Sequence, residues 1–413
     1  MTRSDPHSPT GLAAPAWTML LALTAAFALS QSYRTVAAIM APQLQRDFGL
    51  SAQALGVFAG AFHFAFGALQ LFMGIGIDLY GVRRTVLVAF PLTVAGALVS
   101  ALAGNFALLV FGQVLIGVGC APAFLVCTVF IARHLPAASF APVSGLTLGL
   151  GSVGMLLTGT PLAWLIEASS WRAGFLALAG GSALAWLAIW WRVREPAAAT
   201  AIPAPRPSVP AALRSYGALF RLPHTPGILA LASVTYAAFL SLRGLWLGPL
   251  LIERHGFSLV QGGNVALAVS ALGMVGPPLF GRLDPGTARR RGWIVGFTLA
   301  AAALFAAMAL DAGAALDVGA SVLVGVLSGY IVLQYADVKA AYPVAMTGRA
   351  MAVFTMAMFL GVAMMQWFTG VVASVASAHG GDPFVAVLGA IAALLVLGAL
   401  AFGGLPGPPN ARG

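Results

Sequence analysis

Two arginine residues lie inside long apolar segments of this sequence. Arg34 lies within FALSQSYRTVAAIM at 27–40, and Arg243 lies within FLSLRGLWLGP at 239–249. An arginine at the centre of a membrane costs at least about 2.5 kcal/mol, so it is expected to face a wet cavity or a counter-charge. Neither segment contains Asp or Glu, and a guanidinium group binds carboxylate or phosphate oxygens through a planar fork. The pattern therefore predicts that both arginines bind an anion from outside the chain.

A structural role for the two arginines is the alternative. Each side chain could extend towards the nearer membrane surface, or it could bind backbone carbonyl groups where a helix breaks near Pro42 or Pro249. The two interpretations predict different partners for the guanidinium groups.

Several polar and aromatic residues are predicted to lie at a similar depth and to line the same cavity as the arginines. They are Gln31, His63, Tyr236, Trp246, Tyr330, Gln334 and Gln366. Tyr236 and Trp246 share one helical face with Arg243, because they are seven residues before it and three after it. His63 could carry a coupling proton, since an unperturbed imidazole titrates near neutrality, or it could be a hydrogen-bonded structural residue. Ordinary helix packing is the alternative for the others.

The composition requires that these residues belong to a membrane protein. The chain has 413 residues, of which 60% are hydrophobic and 8% are charged, whereas soluble domains carry about 25% charged residues. Apolar runs recur at the length of about 20 residues that crosses a bilayer as a helix. We therefore predict an all-α integral membrane fold with twelve transmembrane helices. They are placed at 17–40, 51–77, 85–103, 106–131, 143–166, 173–192, 227–252, 259–281, 293–311, 316–338, 349–376 and 384–404.

The distribution of basic residues predicts the orientation. Of the 21 Lys and Arg residues, two lie within predicted spans and three, Arg46, Arg172 and Arg254, lie on one side, which leaves sixteen on the other. Positive charge accumulates on the cytoplasmic side, so both termini are predicted to be cytoplasmic. The net charge of +10 is thereby explained without a nucleic-acid partner. The expected location is a bacterial inner membrane, with the lipid bilayer as partner and a monomer as the expected state.

The sequence divides into two halves that repeat each other. A cytoplasmic tail at 1–16 precedes a six-helix bundle at 17–192, a proline-rich cytoplasmic linker at 193–226, a second bundle at 227–404 and a tail at 405–413. A shift of 207 residues aligns the two bundles without gaps. Matched pairs include Pro42 with Pro249, Gly56 with Gly263, Gly74 with Gly281, Arg83 with Arg290 and Gly154 with Gly361. Two pseudo-symmetric bundles of this kind form a solute site at their interface.

The loop after the second predicted span carries a recognisable motif. The segment GIGIDLYGVRRT contains Gly74, Asp78, Gly81, Arg83 and Arg84 in the pattern G-x-x-x-D-x-x-G-x-R-R, and it resembles the signature cytoplasmic loop of the major facilitator superfamily. The segment WRAGF at 171–175 resembles the entry to the sixth span in that family. The resemblance covers nearly the whole chain. It implies alternating access by rocking of the two bundles, with these five loop residues forming a latch that holds one conformation.

Two features depart from the family pattern. Leu79 stands where the family usually has a basic residue, and the second copy of the loop, GRLDPGTARRR, has Asp284 one position early. Many proton-driven drug exporters carry an arginine in the fourth span, whereas this chain has Gln113 there. The segment GSVGMLLTGTP in the fifth span also resembles the exporters' Gly-Pro motif only loosely. This segment and Gln113 disfavour a drug exporter.

The predicted function is secondary active transport of a small organic anion. A carboxylate is favoured, and a phosphate or phosphonate is an alternative. Transport would be driven by proton symport or by exchange with a counter-anion. A proton-driven exporter of drugs or metabolites is the alternative within the same fold. Its cationic substrates would need embedded Asp or Glu residues, which the central spans lack.

A membrane-embedded enzyme or sensor is the alternative from another class. The sequence contains neither H-E-x-x-H nor a glycine-rich nucleotide loop in a suitable context. Cys120 and Cys127 lie seven residues apart on one predicted helix, a separation of about 10 Å that is too long for a disulfide. We therefore expect no cofactor, no metal and no enzymatic activity.

Overall fold

A computed structural model describes residues 14–135, 140–194 and 216–406, and the regular structure in these ranges is helical. The first half contains α1 Ala14–Tyr33, α2 Val36–Phe48, α3 Ala52–Ala68, α4 Gln70–Ala89, α5 Pro91–Ala101, α6 Phe106–Cys120, α7 Ala123–His134, α8 Phe140–Leu157, α9 Thr160–Ala168 and α10 Trp171–Arg192. The second half begins with α11 Thr225–Ser241, a π-helical turn Leu242–Trp246, α12 Leu247–Pro249 and a second π-helical turn Leu250–Arg254. It continues with α13 Leu259–Gly273, α14 Gly276–Arg282, α15 Thr287–Ala309, α16 Ala314–Leu327, a 3₁₀ turn Ser328–Tyr330, α17 Ile331–Ala341, α18 Val344–Ala378 and α19 Pro383–Gly404.

The number of membrane-crossing helices differs from the prediction. Ten helices within the described ranges are long and apolar enough to cross a membrane, and the bent pair Ala52–Ala68 and Gln70–Ile77 makes eleven if it counts as one span. The pair α1 and α2 is not among them. Its polar run from Ser30 to Thr35 contains Arg34, and the helix breaks there, which divides the predicted span 17–40 into two shorter helices. A count of twelve is therefore not confirmed.

Both predicted spans that contain a central arginine have irregular backbone at that point. Residues 34–35 form a turn between α1 and α2, and Arg243 lies in the π-helical turn Leu242–Trp246. A break or a π turn frees backbone groups that a regular helix would use, and such segments occur often at functional sites. Irregular backbone at membrane depth is tolerated where protein covers it, and Thr35 and Arg243 are both completely buried.

The two halves pack against each other through glycines that obey the internal repeat. A side chain at Gly56 would overlap the backbone carbonyl of Gln366, and a Cβ at Gly263 would lie 3.2 Å from the backbone of Gly159. The shift of 207 residues converts the first contact into the second, because Gly56 matches Gly263 and Gly159 matches Gln366. The pseudo-symmetry predicted from the sequence is thus present in the packing.

These inter-half contacts lie towards one end of the molecule, which we call the closed end. It contains α2, the start of α3, α9, the start of α13 and the last third of α18. Here Gln53 N donates to Ser374 Oγ over 3.0 Å, and Thr160 Oγ1 donates to Asn264 Oδ1 over 2.6 Å. Gly248 in the seventh predicted span also packs directly on the backbone of Ala38 in the first. The chain is therefore in a conformation whose halves are joined at this end.

We predict that Gly154 and Gly149, five residues apart in α8, respond oppositely to alanine. A Cβ at Gly154 would overlap the carbonyl of Ala28, whereas a Cβ at Gly149 meets nothing within 4 Å. Gly154→Ala should destabilise the fold by about 1–3 kcal/mol through overpacking. Gly149→Ala should be neutral or stabilising, since alanine favours a helix by up to about 1 kcal/mol over glycine.

Thermal unfolding of the two purified variants in detergent measures the difference. Gly154→Ala should melt at a clearly lower temperature than the natural protein, and Gly149→Ala should not. Equal melting temperatures for both variants would mean that the close packing of α8 on α1 does not limit stability.

Candidate functional site

Arg34 is held among aromatic rings and lacks a described counter-charge. Its side chain is buried, with 7% of the residue exposed. The guanidinium carbon lies 4.8 Å from the ring centre of Phe66 and 4.7 Å from that of Phe359, and Nη1 donates to the hydroxyl of Tyr236 over 3.4 Å. Among the described residues, Nε has no hydrogen-bond partner and no carboxylate lies within ion-pair distance of this side chain. Ring faces attract a cation, yet they leave its hydrogen-bonding capacity unused.

Arg243 is bonded to backbone and hydroxyl oxygens instead. The residue is completely buried. Its Nε donates to Ser270 Oγ over 2.9 Å and to the carbonyl of Ala266 over 3.1 Å. Its Nη2 donates to the carbonyl of Met155 over 3.0 Å and to Thr158 Oγ1 over 3.5 Å. Only Nη1 has no partner among the described residues. Because Met155 and Thr158 belong to the other half, Arg243 ties the two bundles together.

The backbones that carry the two arginines touch, but their side chains diverge. A Cβ at Gly244 would lie 2.8 Å from the carbonyl oxygen of Arg34, and the hydroxyl oxygens of Thr35 and Thr158 are 2.6 Å apart. The guanidinium of Arg34 lies against α3 and α18, whereas that of Arg243 lies against α13 and the break between α8 and α9. The two groups share no described partner in this conformation. A single anion held by both arginines therefore stays a prediction.

His63 and Gln366 connect the two halves beside Arg34. His63 is buried, and its Nδ1 lies 3.1 Å from the carbonyl oxygen of Ala59 and 3.1 Å from Gln366 Oε1. The amide nitrogen of Gln366 donates to the carbonyl of Leu240 over 3.4 Å. The rings of His63 and Phe359 stack with their centres 6.4 Å apart. His63, Arg34, Tyr236 and Gln366 thus form one cluster, as their predicted shared role requires.

The other predicted lining residues are distributed more widely. Gln31 is buried with its Oε1 unpartnered among the described residues. Gln334 accepts a hydrogen bond from Thr235 over 3.1 Å. Tyr330 shares a hydrogen bond of 2.9 Å with Thr298 and packs in a separate hydrophobic cluster.

Trp246 lies on the closed-end side of the arginines. Its indole nitrogen donates to Thr369 Oγ1 over 2.9 Å. It also lines a cavity of about 340 Å³ at the closed end, together with Gln45 of the first half and Glu253 of the second. The predicted grouping of Trp246 and Tyr330 with Arg34 is therefore not reproduced by their contacts, and a role for either in binding stays a prediction.

Sequence reasoning overlooked Phe359 as part of this cluster. Phenylalanines are common in membrane helices, and the chain has 25 of them, so an isolated one carries no signal. Phe66 lies three residues after His63 on the same helical face. Of the two phenylalanines it was therefore the easier one to identify from the sequence.

The predicted latch loop has the backbone that its glycines suggest. Gly81 has φ of 87°, in the region that favours glycine, and interrupts the helical geometry of α4. Arg83 donates from Nε to the carbonyl of Val193 over 2.6 Å and from Nη2 to the carbonyl of Trp190 over 3.1 Å. Arg84 is exposed, and Gly74 is half-buried. The side chain of Asp78 lies outside the described residues, so the latch role stays a prediction.

The second copy of the loop forms a well-defined ion pair despite its shifted aspartate. Arg290 Nη2 and Asp284 Oδ2 are 2.7 Å apart, and Arg290 Nε donates to Asp284 Oδ1 over 2.9 Å. The hydrogen bond from Arg290 holds the pKa of the Asp284 carboxyl below its usual value. Next to it, Arg291 pairs with Asp337 over 3.3 Å.

Comparison with known transporters gives three relatives in sequence. The chain is 24% identical to the probable sulfoacetate transporter SauU of Cupriavidus necator, over 37% of this chain and 35% of the relative. It is 25% identical to the hexuronate transporter of Bacillus subtilis, over 59% and 58% respectively. It is 32% identical to the gallate transporter of Pseudomonas putida, over 45% and 41% respectively. The matches thus span between about a third and three-fifths of these relatives.

Solved structures and a family model extend the similarity to the whole fold. A bacterial homologue of the human lysosomal transporter Spinster, in an inward-facing and occupied conformation, superposes with a TM-score of 0.73 at 18% identity, covering 95% of this chain and 97% of that one. The nucleoside transporter NupG superposes with a TM-score of 0.75 at 15% identity, covering 95% and 99%. The model of the Major Facilitator Superfamily matches residues 22–365. The chain therefore belongs to the major facilitator superfamily.

Proposed function

We propose that this chain is a secondary active transporter that carries a small organic anion across the bacterial inner membrane by alternating access. The observation that carries the proposal is the environment of Arg34. Its guanidinium is buried between two phenylalanine rings, its Nε has no described partner, and no described carboxylate lies near it. A buried cation is stabilised by an ionised, hydrogen-bonding partner. A carboxylate of the substrate supplies that partner, and a phosphate or phosphonate could do so as well.

The sequence relatives support an anionic substrate. Sulfoacetate, hexuronate and gallate, which the three relatives are named for, all carry an acidic group that is ionised at neutral pH. With sequence identities of 24%, 25% and 32% over only part of each chain, the names support a negatively charged substrate. They do not specify which anion it is. Proton symport or exchange with a counter-anion supplies the energy.

Export of lipophilic cations is the competing function, and the pairing of two buried carboxylates disfavours it. Asp317 accepts from His255 over 2.8 Å and lies 3.6 Å from Arg254, and Asp337 pairs with Arg291. These described carboxylates are already neutralised within the protein, whereas Arg34 is not. Charge balance in the spans therefore favours a substrate that brings a negative charge.

The packing of the halves supports alternating access. The bonds from Arg243 to Met155 and from Gln53 to Ser374 hold the closed end together. Both bonds must break before this end can open. In the predicted orientation the closed end faces away from the cytoplasm.

Arg34→Gln should lower the affinity for the transported anion by about 10- to 150-fold, because one charge-assisted contact contributes about 1.5–3 kcal/mol. The affinity of Arg34→Lys should lie between those of the natural protein and Arg34→Gln, since an ammonium group keeps the charge and lacks the bidentate fork. Arg192→Gln is the matched control, because that arginine is exposed at the end of α10, away from Arg34.

Isothermal titration with a panel of mono-, di- and tricarboxylates and phosphorylated metabolites measures the affinities, and uptake into proteoliposomes measures transport. Ligand-dependent thermal stabilisation identifies which members of the panel bind. If Arg34→Gln transports the identified anion at the natural affinity, the arginine is structural and the charge assigned to the substrate is wrong.

Arg243→Gln should open the closed end while lowering affinity less than Arg34→Gln does. The variant loses the donors to Met155 and Thr158 of the other half. Ala373 is completely buried beside the closed-end cavity, so Ala373→Cys reports opening. In a background with both natural cysteines replaced by alanine, the reaction of this cysteine with a membrane-impermeant maleimide should accelerate several-fold.

Arg34→Gln in the same background is the control and should leave the labelling rate nearly unchanged. An unchanged labelling rate together with an affinity loss as large as that of Arg34→Gln would instead support Arg243 as a second ligand for the anion.

The predicted orientation is tested by single cysteines on the two sides. Ala199→Cys in the linker should react with impermeant reagents only from the cytoplasmic face of oriented vesicles. His379→Cys, at the exposed end of α18, should react only from the opposite face. The reverse pattern would invert the topology inferred from the basic residues.

A further inference from the structure

The histidine beside Arg34 presents a buried acceptor that the protein does not use. Nδ1 of His63 lies between two oxygen atoms, the carbonyl of Ala59 and Oε1 of Gln366, each at 3.1 Å. The amide nitrogen of Gln366 is turned towards the carbonyl of Leu240. Two acceptors at Nδ1 place the proton on that nitrogen, so Nε2 of the neutral ring carries a lone pair. Nε2 is buried and has no partner among the described residues, which is costly for a polar atom.

An unused donor contacts the same aromatic ring as this unused acceptor. Nε of Arg34 is also buried and unpartnered among the described residues. The ring of Phe359 contacts both side chains, since its centre is 4.7 Å from the guanidinium carbon of Arg34 and 6.4 Å from the centre of the His63 ring. Phe66, one turn after His63, also packs on the guanidinium group. Arg34 and His63 therefore both contact the Phe359 ring, and each has a buried nitrogen without a hydrogen-bond partner among the described residues.

The other half shows the residue related to His63 bonded to an arginine, although that arginine, Arg243, lies two residues out of register with Arg34. The shift of 207 residues relates His63 to Ser270 and Ala59 to Ala266. Ser270 donates to the carbonyl of Ala266 over 2.9 Å, as His63 does to that of Ala59. Ser270 also accepts from Nε of Arg243 over 2.9 Å. In the second half the arginine and its polar neighbour thus form a hydrogen bond with each other. In the first half Arg34 Nε and His63 Nε2 have no hydrogen-bond partner among the described residues.

We propose that the transported anion bridges Arg34 and His63, and that the substrate is a hydroxycarboxylate. Its carboxylate accepts from the guanidinium of Arg34, and its hydroxyl donates to Nε2 of His63. This assignment rests on the anion-transport function proposed above and specifies its substrate class. A carboxylate without a hydroxyl group leaves Nε2 unsatisfied in a buried site, and sites built to bond a hydroxyl group discriminate against ligands that lack it. His63 is in this sense a specificity-determining residue.

Two histidine variants separate the acceptor from the rest of the side chain. The amide of glutamine reaches the position of Nε2 and offers an oxygen there. The amide of asparagine reaches the position of Nδ1, so His63→Asn keeps a donor towards Ala59 and Gln366 and removes the acceptor. Ser270→Ala, at the repeat-related position, is the control because Ser270 is bonded internally.

The test uses matched ligands with and without a hydroxyl group, namely lactate against propionate and 3- or 4-hydroxybenzoate against benzoate. Binding to the full-length protein in detergent is measured by titration, and thermal unfolding without ligand confirms that each variant is folded. The natural protein should bind the hydroxylated member of at least one pair about 5- to 100-fold more tightly. His63→Gln and Ser270→Ala should keep that preference. His63→Asn should lose it, mainly through weaker binding of the hydroxylated ligand.

The outcomes distinguish this assignment from the proposed function. Equal affinity within every pair, with binding still abolished by Arg34→Gln, overturns the hydroxycarboxylate assignment and leaves anion transport standing. A preference retained by His63→Asn also overturns it. Affinity that ignores the hydroxyl group but rises at low pH only when His63 is present overturns it in favour of a proton on Nε2. If no anion binds, or if Arg34→Gln changes nothing, both proposals fail.

Discussion

A buried guanidinium group must find partners inside the protein or receive them from a ligand, and this requirement organises the centre of the molecule. Arg243 satisfies it with carbonyl and hydroxyl oxygens from both halves. Arg34 has aromatic faces and one tyrosine hydroxyl. The first set of partners supplies hydrogen bonds and stabilises a conformation. The second leaves hydrogen-bonding capacity unused, which suits a site that must release its ligand.

The internal repeat gives the two arginines comparable positions in the fold, whereas their bonding partners differ. Each lies at irregular backbone, in the first or the seventh predicted span, and each contacts the next span of its own half. Each also contacts a span of the opposite half, which is α18 for Arg34 and the α8–α9 break for Arg243. At the position related to His63 the second half has Ser270, which accepts a hydrogen bond from Arg243. One copy of the architecture thereby ties the two halves together, and the other contains the proposed anion site.

The sequence was sufficient for the family and for the internal repeat, because charge, glycine spacing and apolar length are local properties of the chain. It could not determine side-chain direction. Arg243 and Trp246 lie in the same π-helical turn, where the angular spacing of residues departs from that of an α-helix, and Trp246 contacts the closed-end cavity. Tyr330 is the last residue of a similar irregularity, the 3₁₀ turn Ser328–Tyr330, and packs in a separate cluster. The count of twelve spans was not confirmed because the polar run around Arg34 divides the first one.

The position of the cluster between the halves couples ligand binding to conformation. Arg34 and His63 belong to the first half, whereas Phe359, Gln366 and Tyr236 belong to the second. A ligand bound to Arg34 would therefore lie between the two halves. Both halves would contact it only while the closed end is shut. In the proposed mechanism, opening that end separates His63 from Gln366 and so removes the oxygen that fixes the proton on Nδ1. A ligand shifts an equilibrium by its difference in affinity for the two states, and here that difference arises from losing the partners that the second half supplies.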